Sequence, residues 1–502
     1  MSEMMSAQQA AEKWSVTKRS VSKYCAEGRI SGAELVGNSW AIPVSATKPI
    51  DGRVNRYKKG ASTPSAPALT SIDLFSGPGG LATGFRWAGI RPLIAVEWSY
   101  WTAQTYSRSH DADILDLAQY LHDESALEPL LKPSEKTLLI QGDINLVSDD
   151  LILKILEKRF GGVGVDVVTG GAPCESFSMA GDRKEIDDRN QLYQNILRVA
   201  RAVDAKMFLF ENVKGLFSKK MDGRSGAMYS AICDDFESDN EDGGPSYRLV
   251  SRDKKTVLLR AVDFGVPQAR ERLFLVGLNN KFPNLEFEYP IKTHGPGANE
   301  PYVTVADALL DLPRLSVGCE VTKYTFDIDG AEATPMQKQY LRRMRGDLSL
   351  ASEHVAFHAD TLTNHKAPGH TAKMQERIKL IHPGENMRTA SERLVEEGNG
   401  ELVEKFFPRK IYAARNRRLK LNEPSFTVTS HCLDEMIHPI QDRGLSPREA
   451  ARLQSFPDWY VFEGPYMKFH SDPDQDQYEQ IGDAIPPLLA YAIAKEIVKT
   501  LA

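Results

Sequence analysis

The chain has few cysteines and no long apolar run, and positive charge is not in excess. Its five cysteines, Cys25, Cys174, Cys233, Cys319 and Cys432, are scattered among 502 residues with no Cys-x-x-Cys pair. That excludes a disulfide framework and a cysteine-rich zinc site, predicts no metal, and fits a reducing compartment. No stretch approaches the ~18 apolar residues that cross a bilayer, and Met1-Ser2-Glu3-Met4-Met5 opens no apolar signal region. The expectation is a soluble, cytoplasmic protein with no membrane partner. Lys and Arg number 62 against 68 Asp and Glu, a net charge of −6. A global basic field is absent, so a nucleic-acid surface would have to be a local patch. No internal repeat or long low-complexity segment is visible.

What is present is organised in blocks. Residues 1–48 read as a small unit. Ala10–Trp14 and Val16–Cys25 predict two short helices with a polar turn, and Gly28-Arg29-Ile30 to Trp40-Ala41-Ile42-Pro43 a hairpin or wing. This order resembles the helix-turn-helix of excisionase and MerR-like DNA-binding domains; the alternative is a packing module without DNA contact. Residues 49–69, with Lys58-Lys59-Gly60-Ala61-Ser62-Thr63-Pro64-Ser65-Ala66-Pro67, have the composition of a linker. From Ser71 onward apolar runs alternate with helical patterns, at Ile72–Phe75, Leu93–Val96, Leu138–Ile140, Val165–Val168, Met207–Phe210 and Arg272–Val276. Such alternation predicts an α/β fold with a doubly wound, mostly parallel sheet over residues 70–289. Residues 290–435 lose the alternation and read as a separate domain or large insertion. It returns weakly at 443–502, which ends in the helical run Leu488–Leu501, and residues 436–502 are read as the C-terminal part of the α/β domain. The acidic stretch Asp234–Asp242 reads as a solvated loop.

The first strand runs into Ser76-Gly77-Pro78-Gly79-Gly80-Leu81. Glycines there let backbone approach a ligand, and the following helix offers free N–H groups. The spacing Gly77-x-Gly79-x-x-Ala82 also satisfies a loose dinucleotide fingerprint, so a nicotinamide or flavin site is the local rival. The second strand ends at Glu97-Trp98, an acid suited to a ribose diol and an indole suited to adenine. The third leads to Gln141-Gly142-Asp143-Ile144, where Asp143 suits an exocyclic adenine amine. Capping or turn formation is the structural alternative for both acids. Three such features after three successive strands favour an adenosine pocket. After the Val165–Val168 run, Gly170-Gly171-Ala172-Pro173-Cys174-Glu175-Ser176-Phe177-Ser178 sets a thiol at the carboxyl edge of the sheet. Ligands bind at that edge. A thiol there is placed as a nucleophile, the alternative being one more small buried hydrophobe.

Read in order, the chain carries a specific series. Asp73-Leu74-Phe75-Ser76-Gly77-Pro78-Gly79-Gly80 comes first and Pro173-Cys174-Glu175-Ser176-Phe177-Ser178 second. Then follow Asp188-Arg189-Asn190-Gln191-Leu192, Glu211-Asn212-Val213 and Phe264-Gly265-Val266-Pro267-Gln268-Ala269-Arg270-Glu271-Arg272. Arg448–Pro457 and Gln480-Ile481-Gly482-Asp483-Ala484-Ile485-Pro486-Pro487 close the series. In motif and order, residues 71–502 resemble the DNA (cytosine-5) methyltransferases.

The resemblance implies methyl transfer from S-adenosylmethionine to carbon 5 of cytosine. Cys174 would add as a thiolate to carbon 6 and make carbon 5 nucleophilic. Glu211 would hold the proton or hydrogen bond at ring nitrogen 3, which needs a raised pKa. Arg272 would bind the cytosine O2, with Arg270 supporting the same loop and the thiolate. The base that removes the carbon 5 proton is not identified; water is a candidate. Cofactor positions carried over are Asp73, Phe75, Gly77, Gly79, Gly80, Leu81, Glu97, Trp98, Asp143, Ile144, Pro173, Leu192, Asp483 and Ala484. The family usually has Asn where this chain has Asp483, so a hydrogen bond donated to the cofactor from that side chain is in doubt.

The resemblance further implies double-stranded DNA as partner, with the target base flipped from the stack. The loop Ser176–Arg189, with Gly181 as hinge, would close over it. Residues 290–435 correspond to the variable target-recognition region. Their basic residues Arg342, Arg343, Arg345, Arg409, Lys410, Arg415, Arg417, Arg418 and Lys420 suit phosphates and guanine edges. His354, His358, His365 and His370 lack metal-ligand spacing and are read as packing or DNA-contacting. The implied setting is a monomeric bacterial or phage modification enzyme with a cognate restriction nuclease. The rivals are an RNA cytosine methyltransferase on the same scaffold and a non-catalytic DNA-binding regulator. Intact Cys174, Glu211 and Arg272 count against the second.

Overall fold

A computed structural model of the chain describes residues 4–14, 18, 21–22, 25, 30, 33–37, 39–44, 46, 69–172, 192–221, 223–239, 244–330, 332–346, 360–468 and 474–501. It divides into two compact units, Met1–Ala66 and Pro67–Ala502.

In the first unit, strands β1 (Met4–Ser6), β2 (Glu34–Val36) and β3 (Ser39–Pro43) form an antiparallel sheet in the order β1-β3-β2. The helix Ala7–Trp14 follows β1. Met5, Ala10, Ala11, Trp14, Val21, Cys25, Ile30 and Ile42 share its core. The expected first helix and hairpin fall within these elements, and β1 is an addition. Most of the second expected helix lies outside the described residues.

The second unit is built on β4 (Thr70–Leu74), β5 (Arg91–Glu97), β6 (Asp113–Asp116), β7 (Leu138–Gln141), β8 (Val167–Gly170) and β9 (Met207–Val213). After a short hairpin of β10 (Lys220–Met221) and β11 (Arg224–Ser225) come β12 (Tyr247–Leu249), β13 (Leu258–Arg260) and β14 (Glu271–Asn279). The large sheet runs β12-β14-β9-β8-β4-β5-β7-β6, with β13 on the margin of β14. From β9 to β6 all neighbours are parallel, whereas β12, β13 and β14 pair antiparallel. The six strands expected from apolar runs are all present. In the large sheet the strands not anticipated, β6, β12 and β13, are short and lie at its margins. Central strands such as β4 and β5 are buried on both faces, which is why β5 reads as a continuous apolar run and β4 as one broken only by Asp73.

The order places β4 at the switch point, flanked by β8 on one side and β5 on the other. Connections leave there in opposite directions and open a crevice at the carboxyl ends of the strands. Two cores lie on the faces of the sheet. One gathers Leu74, Val96, Ile140, Val168, Ile196 and Phe210. The other joins Leu81, Phe85, Leu209 and Phe274 to Val428, Met436, Phe456, Leu489 and Ile493, so distant parts of the chain share it. The final helix Pro487–Leu501 lies against the helix Gly80–Trp87. A β-carbon on Gly84 would stand 2.5 Å from that of Ala490. A smaller core of Ile378, Ile381, Met387, Leu394, Phe407 and Ile437 supports the irregular region.

Candidate active site

The loop after β4 begins with Phe75 at φ 55, a left-handed conformation that a bulky side chain adopts at a cost of about 1–3 kcal/mol. The turn throws the chain out of the sheet. Ser76 N is recaptured by Val96 O on β5. The loop glycines have different reasons to be glycine. Gly77, at φ 55, faces open space, with nothing within 4 Å of a hypothetical β-carbon. Gly79, at φ 98, is wedged against His110 Nε2 and Tyr460 Oη, which a β-carbon would meet at 2.5 and 2.6 Å. Gly80 would meet Ile485 O at 2.1 Å, so the absence of a side chain admits the final motif of the series. Leu81 is buried in the core.

Glu97 ends β5 almost wholly buried. Its Oε2 accepts from Gly77 N at 2.9 Å and its Oε1 from Ser99 N at 2.9 Å. Burial raises its pKa to about 7 against those bonds. Asp73 lies beneath the loop. Its Oδ1 accepts from Thr169 Oγ1 at 2.8 Å, while Oδ2 has no protein partner. Burial lifts it to about 7 as well, with Thr169 opposing and Glu97 adding. Ser76 Oγ is a second buried polar atom without a partner. Trp98 is half exposed. Asp143 is exposed and caps a short helical turn, its Oδ1 accepting from Asn145 N, while Ile144 is buried. Leu192 packs at the margin of one core. Ala484 is buried, and exposed Asp483 accepts from Gln475 Nε2 at 2.8 Å.

On the other side of β4 the pair Glu211–Arg272 is formed by register. Glu211 of β9 stands opposite Phe274 of antiparallel β14, which makes Arg272 its diagonal neighbour on the same face. Arg272 Nε lies 2.8 Å from Glu211 Oε1. The contact is a close ion pair between two largely buried side chains. Burial raises the Glu211 carboxyl to about 7, and the Arg272 charge pulls the other way. A β-carbon on Gly171 would lie 2.8 Å from Glu211 Oε2, and Asn212 Nδ2 donates to Ala172 O at 3.3 Å. The end of β9 is thus fastened to the backbone that leads into Pro173 and Cys174. Those two residues, and the loop Ser176–Arg189, lie outside the described residues.

Arg270 is not brought to this pair by any contact described. It is fully buried and donates to Val428 O at 2.7 Å and Gly482 O at 2.8 Å, binding the strand entry to the final motif. Gln268 does similar work. Its amide donates to Leu453 O and Gln454 Oε1, and its oxygen accepts from Val428 N. Sequence reasoning missed Thr169, Ser99, His110 and Tyr460, because each acts through a partner distant in the chain or through its backbone.

The basic residues of 290–435 divide sharply. Arg418 is buried and donates to Ile378 O, Ile381 O and Asp442, and Arg345 is buried against Asp458. Neither presents its guanidinium for phosphate, which corrects the sequence reading; desolvating an arginine requires such partners. Arg342 pairs with Asp329, Lys420 with Glu423 and Arg417 with Glu435. Arg343 lies over the Tyr491 ring. Arg409, Lys410 and Arg415 are exposed, the last two flanking the exposed Tyr412 ring at 5.0 and 5.6 Å. His365 bonds Ser446 and Pro313, and His370 accepts from Gly444 N. His354 and His358 lie outside the described residues.

Comparisons with known proteins bear on the family and the fold. The family model for C-5 cytosine-specific DNA methylase matches residues 69–129 and 133–499. The type II methyltransferase M.DdeI of Desulfomicrobium norvegicum is 30% identical over 432 residues, covering 86% of this chain and 88% of that protein. The type II methyltransferase M1.HphI of Haemophilus parahaemolyticus is 30% identical over 435 residues, covering 86% and 87%. A solved structure described as a prophage-encoded DNA modification methyltransferase of E. coli superposes with a TM-score of 0.60 at 23% identity, over 86% of this chain and 99% of that one, which supports the fold. With a buried Glu–Arg pair at one side of the switch point and a glycine loop at the other, the chain belongs to the C-5 cytosine-specific DNA methylase family.

Proposed function

We propose that this DNA cytosine-5 methyltransferase works through Cys174, Glu211 and Arg272 on a cytosine flipped out of duplex DNA, with S-adenosylmethionine as methyl donor. The observation that carries the reading is the Glu211–Arg272 pair beside Gly171-Ala172, two residues before Cys174. In this reading the Cys174 thiolate adds to carbon 6 of the ring, and electron density moves toward nitrogen 3. Glu211, held near neutrality, places a proton on that nitrogen, and Arg272 holds the O2. The ring is then an enamine, nucleophilic at carbon 5, and would take a methyl group from a sulfonium donor whose sulfur leaves as the neutral thioether. Loss of the carbon 5 proton to a base, departure of the sulfur as thiolate and return of the nitrogen 3 proton to Glu211 restore the aromatic ring and free Cys174.

The family and its fold imply use of S-adenosylmethionine, and the residues present suit it. The open side of Gly77, the free buried Oδ2 of Asp73 and the Glu97 carboxylate offer polar partners to an adenosyl group. Trp98 and Ile144 offer apolar surface, and Asp143 and Asp483 offer acceptors only. When bound, the cofactor supplies a methyl group activated by a sulfonium.

In this reading residues 70–289 and 436–502 form the catalytic part and 290–435 the target-recognition part. Exposed Arg409, Lys410 and Arg415 around Tyr412 are its candidates for DNA contact, since they keep charge that the neighbouring arginines spend on carboxylates and carbonyls. The type II names of M.DdeI and M1.HphI support a restriction-modification setting with a cognate nuclease, and residues 1–48 are proposed as an accessory DNA-contacting unit. Bisulfite sequencing of DNA from cells expressing the protein tests the reading. The expected result is 5-methylcytosine at one sequence context, absent with Cys174→Ala. Folded, cofactor-bound wild-type protein that leaves no 5-methylcytosine would overturn it.

A further inference from the structure

Against Gly79 of the glycine loop lies a buried polar group that the methyl-transfer chemistry does not use. His110 ends the helix Tyr100–His110, and Tyr460 follows the Arg448–Pro457 motif, 382 residues after Pro78. Both are buried. Tyr460 Oη donates to Pro78 O. His110 Nε2 lies 3.2 Å from Gly79 O and 3.1 Å from Tyr460 Oη. On its other nitrogen, Arg86 Nη1 stands 3.1 Å from Nδ1. A guanidinium only donates, so Nδ1 is the acceptor and Nε2 carries the hydrogen. That tautomer can donate to Gly79 O. Burial and the Arg86 charge hold the imidazole well below its usual pKa, so the neutral form persists. Thr83 Oγ1 adds a bond to Gly79 O at 2.8 Å.

These bonds fix two consecutive carbonyls, those of Pro78 and Gly79. Fixing both sets the orientation of the peptide between them. The N–H of Gly77, one residue earlier, is the donor that aims Glu97 Oε2. Gly79 can sit so close to His110 and Tyr460 only because it has no β-carbon. The loop is therefore held by side chains from two remote parts of the chain, His110 and Tyr460, and by Thr83 of the helix that follows it, while nothing crowds Gly77.

We propose that His110 and Tyr460, oriented by Arg86, are positioning residues for cofactor capture: they clamp the Pro78–Gly79 carbonyls so that the Gly77 N–H and Glu97 stand in their binding arrangement before the cofactor arrives. The proposal rests on the reading that S-adenosylmethionine lies over this loop. Preorganisation of this kind affects affinity through the ordering cost that binding would otherwise carry. Through Tyr460, the 436–502 segment, remote from the loop in sequence, contributes to this clamp.

The test is calorimetric binding of S-adenosylmethionine to the full chain, with steady-state kinetics alongside. Tyr460→Phe removes one hydroxyl and keeps the ring packed against Phe456 and Phe462. It is expected to weaken cofactor affinity and raise its KM about tenfold, with kcat at saturating cofactor within about threefold. His110→Leu, which loses the donor, is expected to show a similar or larger loss, and His110→Gln, which keeps an N–H donor, to recover most of it. DNA binding without cofactor, read by mobility shift, should be unchanged in Tyr460→Phe. Wild-type binding with Tyr460→Phe within twofold of it overturns the clamp. So does a folded His110→Gln as weak as His110→Leu, since packing alone would then account for the effect. Wild-type protein that takes up no S-adenosylmethionine overturns the cofactor reading itself and the clamp with it.

Discussion

Replacing Glu211 by Gln tests the proton-holding role directly. The carboxyl is about nine-tenths buried beside Arg272, and its pKa stands at about 7 against an ordinary 4.5. A raised carboxyl pKa means that the folded state holds the proton more tightly than the unfolded state. The associated stability is fully present below pH 4.5 and lost as pH rises through 7. The shift corresponds to about 3 kcal/mol. Gln carries no titrating proton, so the variant lacks this dependence. Urea unfolding at pH 5 and pH 8 should show the variant gaining on wild type by up to about 3 kcal/mol between the two conditions. Asp73 and Glu97 titrate in the same window, but they are common to both proteins and cancel in the comparison. In single-turnover methylation, wild type should lose rate above about pH 7 as Glu211 ionises. Glu211→Gln should be slower by about 10²–10⁴-fold, without that limb. If the stability gap between the two proteins is the same at pH 5 and pH 8, Glu211 titrates as an ordinary carboxyl and the argument fails. A wild-type rate that stays flat through pH 7 to 9 would remove the catalytic part.

Three further outcomes follow from named contacts. Gly80→Ala places a β-carbon 2.1 Å from Ile485 O, so it should destabilise the fold by about 1–3 kcal/mol, whereas Gly164→Ala, with nothing within 4 Å, should be close to neutral by thermal melting. Arg452 is wholly buried, bonded to Asp458 at 2.6 Å and Asp311 at 2.9 Å. Arg452→Met leaves these carboxylates short of a partner and should cost about 3–5 kcal/mol, seen as a melting temperature lower by roughly 10 °C. Replacing Arg409, Lys410 and Arg415 together by Ala should weaken DNA binding and reduce the slope of log affinity against log salt by about 2–3 if each neutralises one phosphate, whereas an unchanged slope would remove these residues from the DNA interface.

Much of the architecture was legible because burial of a strand on both faces leaves a mark in local sequence. β4, β5, β7, β8, β9 and β14 all read as apolar runs. The glycine loop and the acids after β5 and β7 were legible for the same reason, since strand ends are local events. Short marginal strands such as β6 and β12 left no such mark. The pairing of Glu211 with Arg272 depends on the antiparallel register of β9 and β14, and the two are 61 positions apart.

The amino-acid sequence by itself determined the family, the succession of the main strands along the chain and the chemical types at their carboxyl ends. Tertiary structure alone decided which charges face solvent and which are consumed within. Arg270, Arg418 and Arg452 resemble surface cations in sequence, yet each is buried against carbonyls or carboxylates supplied by remote segments. It also decided that Gly80 serves close packing against Ile485, and that His110 and Tyr460 meet against Gly79 of the loop. The physical reason is that propensity and hydrophobic period act between near neighbours, whereas desolvation depends on everything that surrounds a group after the chain has closed upon itself.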